Sequence, residues 1–345
     1  MDSLTIYIAL ALILFFVFVL GTVIGSFLNV VILRAFSGES IVLPPSKCPK
    51  CQNKLKWWHN IPLLSYILLR GKCYYCHEKI SIQYPIVEFV TGLLFVLVFF
   101  QYGVSPNTLV AFAIISILIV LSVTDIKEKV IFDGHAYALV FVGLVYNFLL
   151  MLLPLLNQAF NTISGFHLTS EWLIFNPLTT SILGILAGVI IMEIVARIGQ
   201  LIAGQKAFGE GDTLIAAGLG AVFGWTNVIL IIALAVVINA VCILPLFIKN
   251  QIKAKHYDTV ASLGFVAIYA VLYELISIKT QLFSNLIILL GATLLFMIVG
   301  LLAIFNILKR LRSNEENFTV LPFGPALAFA AICVLLLNIS ISLVK

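Results

Sequence analysis

The chain has 345 residues, of which 62% are hydrophobic and 10% charged. A soluble chain of this length carries about 86 charged residues, whereas this one has 20 Lys or Arg and 15 Asp or Glu. So few charges cannot cover the apolar surface of a soluble domain, which excludes a soluble globular protein, a disordered chain and a secreted disulfide scaffold. The expected fold class is an all-α polytopic membrane protein of about ten transmembrane helices. One small polar insertion is expected after the first.

The gaps between charges predict the spans. They run Leu4–Val31, Tyr84–Tyr102, Asn107–Thr124, Gly134–Leu155 and Leu178–Ala203, then Asp212–Trp225, Asn227–Ile248, Val260–Ile278, Leu282–Leu308 and Phe323–Leu343. Turn residues separate several of them, among them Gly103 with Pro106 and the run Gly224-Trp225-Thr226-Asn227. The apolar runs are continuous, where a β-barrel needs alternation. Asp212–Trp225 is short for a span, since 14 residues rise only about 21 Å. The first run follows Met1-Asp2-Ser3 with no basic stretch, so it reads as a retained helix and not a cleavable signal.

Basic residues predict the orientation. Eight Lys or Arg lie between Arg34 and Lys79, and placing that segment in the cytoplasm leaves the N-terminus outside. The remaining loops then alternate, with 18 basic residues inside and only Lys279 and Lys345 outside. The net charge of +5 is thereby accounted for by topology and attraction to anionic lipid, with no nucleic-acid partner needed.

The one sizeable polar segment carries a metal signature. It reads Cys48-Pro49-Lys50-Cys51, then 21 residues, then Cys73-Tyr74-Tyr75-Cys76. Two CxxC pairs offer four thiolates, the donor set of tetrahedral structural zinc. A segment of about 45 residues builds little core of its own, which makes a structural metal useful. A redox pair and unligated thiols are the competing readings, and a reducing cytoplasm disfavours disulfides. His59 and His77 read as packing or solvated residues, and Cys242 and Cys333 as small apolar core residues.

Charges in or beside spans are expensive and each needs an account. Asp125 ends the third predicted span, Asp133 follows eight residues later, and Asp212 closes Gly209-Glu210-Gly211-Asp212. The orientation puts Asp125 and Asp212 at the same membrane face on different helices. A close carboxyl pair supplies one acid and one base, which is what attack of water on an amide requires. Gly209 and Gly211 permit close backbone approach just before the helix. Taken alone, Asp212 reads equally as a helix cap, and Asp125 as an interfacial charge.

The motifs together carry a resemblance. Gly25-Ser26-Phe27-Leu28-Asn29, the two cysteine pairs, Asn60-Ile61-Pro62-Leu63-Leu64-Ser65-Tyr66 and Tyr84-Pro85-Ile86-Val87-Glu88 come first. Asp125 with Asp133, the GEGD run at Gly209–Asp212 and Pro322-Phe323-Gly324-Pro325 follow in order. From about Gly25 to Ala331 the chain resembles the type 4 prepilin peptidases, bifunctional leader peptidases and N-methyltransferases that are GxGD-type aspartic proteases of the bacterial cytoplasmic membrane. The resemblance implies that Asp125 and Asp212 are catalytic and that Gly209, Gly211 and Asp133 shape the site. It implies cleavage of the basic leader of type IV prepilins or pseudopilins at the cytoplasmic membrane face. Methylation of the new N-terminal residue, usually Phe, from S-adenosyl-L-methionine then follows. Cys48, Cys51, Cys73 and Cys76 belong to the region associated with methyl transfer, and Glu88 is a possible methyltransferase residue, its alternative being a packing or capping carboxylate. Asp133 has a second reading as a helix cap, because Phe132 stands where the family commonly has proline.

The expected organisation is a first transmembrane helix (1–34), a cytoplasmic tetracysteine segment (35–83) and a peptidase core (84–248). An extra helical hairpin (249–321) and a C-terminal helix (322–345) complete it. The hairpin and an external loop from Pro154 to Asn176 exceed the usual family length. The hairpin reads as a lipid-facing addition or as a contact for an assembly partner. The competing functions are a GxGD protease without methyl transfer, a presenilin-like protease, and a non-enzymatic zinc-stabilised transporter or assembly protein.

Overall fold

The computed structural model describes residues 3–43, 45–161, 176–203, 209–253 and 322–337, with Tyr257, Ala261, Gly264 and Leu295. The described chain is helical: α1 (Ser3–Ser37), α2 (Leu64–Leu68), α3 (Gln83–Tyr102), α4 (Pro106–Glu128), α5 (Asp133–Asn161), α6 (Pro177–Ala203), α7 (Glu210–Lys253) and α8 (Gly324–Leu337). Among the described residues six helices are long and apolar enough to cross a membrane, namely α1, α3, α4, α5, α6 and α7; α8 is a shorter apolar helix. The expected spans Val260–Ile278 and Leu282–Leu308 lie outside the described residues apart from isolated positions.

Several expectations need correction. Asp125 does not end its helix, because α4 continues to Glu128 and closes on Lys129 in the left-handed region at φ 53. A helix satisfies its own backbone, so it can leave the apolar layer without stopping where charges begin. The expected external loop from Pro154 is in part helix, since α5 runs on to Asn161; neighbouring helices and local adjustment let transmembrane helices tolerate proline. By contrast, the expected break between Asp212–Trp225 and Asn227–Ile248 is present: two helical stretches of α7 meet at Gly224, whose φ of 76 and ψ of 174 are not helical.

Close packing divides the chain into two compact units. The first comprises Met1–Glu193, Gly209–Val236 and Pro322–Lys345, and the second Ile194–Phe208 and Val237–Leu321. Of the second, the described residues are chiefly the end of α6 and the later part of α7.

Within the first unit α4 is central, packed against α1, α3, α5 and α8. It starts on Ser105, whose Oγ accepts the Thr108 N–H at 3.3 Å, with Pro106 at the first helical position. Its core face carries Ile114, Ile115, Leu118 and Leu121, all buried. α1 lies along α3 at close range, since a Cβ on Gly21 would stand 2.7 Å from Gly92 Cα. Small residues let helix backbones approach where no hydrophobic force separates lipid from protein. The buried Asn29 side chain joins the same two helices, donating to Tyr84 O at 3.1 Å.

α6 packs on the first part of α7 through facing glycines, Gly184 against Gly220. The carbonyl of Ala221 receives both Ser181 Oγ, at 2.6 Å from α6, and Asn147 Nδ2, at 2.9 Å from α5. The break at Gly224 interrupts the helix ladder just beyond this carbonyl, and side chains from two neighbours satisfy it.

Candidate active site

Two helix ends meet at the candidate site. α4 delivers Asp125 one turn before its C-terminus, and α7 delivers Asp212 in its first turn; both side chains are buried. The GEGD run has a local structural reason. Gly209 precedes the helix, and its N–H donates to Asp212 Oδ2 at 3.2 Å. Asp212 stands at the third helical position and so reaches back to the cap, as the acidic member of a capping box does. Gly211 lies against Ile131 in the loop after α4, where a Cβ would stand 2.5 Å from Ile131 Cβ. No larger residue fits at that position without separating α7 from the α4–α5 loop.

The cap bond uses only one oxygen of Asp212. Oδ1 is buried and has no partner among the described residues. An ionised carboxylate offers about four acceptor directions, so an unengaged buried oxygen is open to a proton, a water or a reacting group. Asp125 is fixed differently: its Oδ2 accepts the backbone N–H of Gly324 at 3.0 Å, across 199 residues of sequence. Gly324 opens α8 and carries one of the N-terminal donors a helix cannot use internally. A Cβ on Gly324 would stand 2.5 Å from Asp125 Oδ2 and 3.4 Å from Ile215 Cδ1. Ile215 is buried one turn along α7 from Asp212. Gly324 therefore sits between the two aspartate-bearing helices, and the carboxyl groups lie within electrostatic reach of each other.

Gly324 is a site residue that sequence reasoning missed. Its signal is a glycine immediately before a proline at a helix start, which leaves an N–H that needs an acceptor. Among the described residues no side-chain hydrogen bond brings Asp133 into the pair. It is exposed as the first residue of α5, after Phe132, whose carbonyl accepts the first backbone bonds. A carboxylate there complements the helix dipole.

The four cysteines form a second site. Their sulfurs all lie within 4.8 Å of one another, with Cys48 and Cys76 Sγ 3.9 Å apart. Tetrahedral zinc with bonds of about 2.3 Å sets its sulfurs about 3.8 Å apart, so the arrangement fits that ion. The two halves share one architecture. Lys47 bridges Lys54 and Lys72 bridges Lys79 in antiparallel pairs. The residue after each second cysteine, Gln52 at φ 57 and His77 at φ 56, is left-handed. The Cys73 thiol is drawn down to about 7, chiefly by the backbone N–H of Cys76 and against the opposing effect of burial. His59 is buried among Trp58, Tyr74 and Tyr75, a packing role as expected.

Glu88 joins this module to the helices. It is buried in α3, and its Oε2 accepts the N–H of Leu63 at 2.8 Å. Leu63 adopts φ 58 to present that N–H, a conformation few non-glycine residues take.

Comparison with known proteins agrees with this architecture. Residues 19–102 match the family model "Bacterial Peptidase A24 N-terminal domain", and residues 112–244 match "Type IV leader peptidase family". The prepilin leader peptidase/N-methyltransferase of Neisseria gonorrhoeae is 32% identical over 263 residues, covering 69% of this chain and 83% of the relative. That of Klebsiella pneumoniae is 31% identical over 216 residues, covering 61% of this chain and 85% of the relative. No solved structure matches the chain. Helical architecture, the paired aspartates, the tetracysteine module and these relatives agree: the chain belongs to the type IV leader peptidase family.

Proposed function

We propose that the protein is a membrane aspartic endopeptidase that removes the basic leader of type IV prepilins or pseudopilins and then N-methylates the exposed residue. The observation that carries the peptidase reading is the meeting of Asp125 and Asp212. Each is buried at a helix end and held by one backbone N–H, and Asp212 Oδ1 is left open. In this reading one carboxyl acts as base on a water while the other donates to the scissile carbonyl oxygen or the leaving amine. Gly209 and Gly211 shape the loop that presents Asp212, and Asp133 borders it. The relatives' names, prepilin leader peptidase/N-methyltransferase, support the pairing of the two activities.

The positive-inside distribution supports a bacterial inner-membrane protein of about ten spans, N-terminus outside and both aspartates at the cytoplasmic face. Cys48, Cys51, Cys73 and Cys76 would hold a structural zinc that keeps the module folded. S-adenosyl-L-methionine supplies the methyl group. Glu88 acts in methyl transfer as a positioning residue, through the module it anchors.

The test incubates purified protein with a prepilin and labelled S-adenosyl-L-methionine, with mass spectrometry of the mature N-terminus. Cleavage and label are both expected, and both cease in Asp125→Asn and Asp212→Asn because methylation needs the new amine. Processing that survives both substitutions at normal expression would refute the aspartyl mechanism. Cleavage without label would remove the second activity.

A further inference from the structure

The tetracysteine module carries an apolar face with no partner among the described residues. Leu64, Ile67 and Leu68 lie on one side of α2, and Ile67 and Leu68 are 69% and 72% exposed. Trp57, on the short helix that packs against α2, is 76% exposed. At the two junctions with the membrane helices, Val42, Leu43 and Ile82 are exposed as well. Around this face are eight Lys or Arg between Arg34 and Lys79, against only Glu39 and Glu78. Lys56 Nζ lies 4.9 Å over the Trp58 ring.

The depth of this face follows from the helices. The 20 residues of α3 rise about 30 Å, the thickness of the hydrocarbon layer. Ile82, just before α3, is thereby at the boundary. Glu88 lies six residues beyond Ile82, about 9 Å further along the helix, and its bond to Leu63 draws the residue that precedes α2 to or below that boundary. A hydrophobic face held at headgroup depth, with tryptophan and a basic surround, has the composition of an interfacial anchor.

We propose that the tetracysteine module lies on the bilayer surface and inserts the Trp57, Ile67 and Leu68 face among the headgroups of anionic lipid. The Glu88–Leu63 bond sets the depth, and the lysines supply attraction to the lipid charge. The module then occupies a fixed height above the helix ends.

The test uses the full-length protein with Trp58, Trp172 and Trp225 replaced by Phe, so that Trp57 alone reports. It is reconstituted in phosphatidylcholine vesicles with or without phosphatidylglycerol. Trp57 emission should be quenched by lipids brominated near the headgroup and protected from acrylamide. Protection should weaken when phosphatidylglycerol is omitted or salt is raised, by up to about fivefold per lysine that loses its lipid contact. Ile67→Glu with Leu68→Glu should abolish bromolipid quenching while zinc content, read by metal analysis, reports that the module is folded. Lys72→Gln with Lys79→Gln, which leaves the apolar face intact, should weaken the dependence on phosphatidylglycerol alone. Trp57 that is open to acrylamide and untouched by brominated lipid overturns the proposal. So does protection that arises only when a prepilin is added, which would assign the face to substrate.

Discussion

Replacing Gly324 by alanine tests how the aspartate pair is held. The added Cβ would stand 2.5 Å from Asp125 Oδ2 and 3.3 Å from its Cγ, where ordinary contact begins at 3.4 Å. The backbone of α8 is fixed by its own helix and by buried Phe323, Ala326 and Leu327, so the carboxylate is the part that yields. It must retreat by about 0.9 Å, and a misplacement of about 1 Å can cost about a hundredfold in rate. Overpacking of this kind costs about 1–3 kcal/mol in stability, which most folded proteins survive. The assay is kcat/KM for prepilin cleavage by purified Gly324→Ala, with Gly134→Ala as control because a Cβ there meets nothing within 4 Å. The expected result is a folded protein with about a hundredfold loss of cleavage, carried in kcat, and a control near wild type. Cleavage within about twofold of wild type in folded Gly324→Ala would show that Asp125 does not need the position given to it here.

Asp125→Asn and Asp212→Asn should each lower cleavage by about a thousandfold or more without unfolding the protein, since general acid–base groups contribute about 10²–10⁴-fold; circular dichroism and turnover check this. Metal analysis should find one zinc per chain, lost on Cys48→Ser or Cys73→Ser, and a metal-free wild type would contradict it. Zinc binds thiolates and so displaces their protons; affinity measured against a chelator should therefore decline from pH 9 to pH 6, and a flat profile would refute ligation by the four cysteines. Glu88→Ala leaves the half-buried Leu63 N–H without its acceptor, a cost of up to about 1–3 kcal/mol, and should abolish methyl transfer. Glu88→Gln keeps an acceptor and should rescue it; failure of Gln in a module with full zinc content would point to a direct proton-transfer role instead.

The membrane helices were legible because lipid imposes one rule on all of them: a span must be apolar and closed in its own hydrogen bonds. The Gly224 turn was legible for a related reason, since Gly-Trp-Thr-Asn breaks an otherwise even run. Helix ends were less so. α4 passes through Asp125 to Glu128, and nothing in the charges of Lys127 and Glu128 distinguishes a helix leaving the membrane from a loop. The two aspartates were readable as side chains, but their supports were not. Asp125 rests on the backbone of Gly324, 199 residues away, and Glu88 on the backbone of Leu63. A main-chain N–H is the same in every residue but proline, so its choice of partner leaves no mark in the sequence. The left-handed Leu63 is equally silent, being a residue type that ordinarily avoids that conformation.

The bond from Gly324 to Asp125 also sets a clock. Gly324 follows Asp212 by 112 residues, so a ribosome adding about 5–20 residues per second delivers it on the order of 5–20 s later. Through that interval both aspartates are already in the membrane, but Asp125 lacks the donor that fixes it. A nascent chain thus lacks the ordered aspartate pair until α8 docks. Chains that stop before Gly324 would therefore carry Asp125 without its donor, whatever the state of the helices before it.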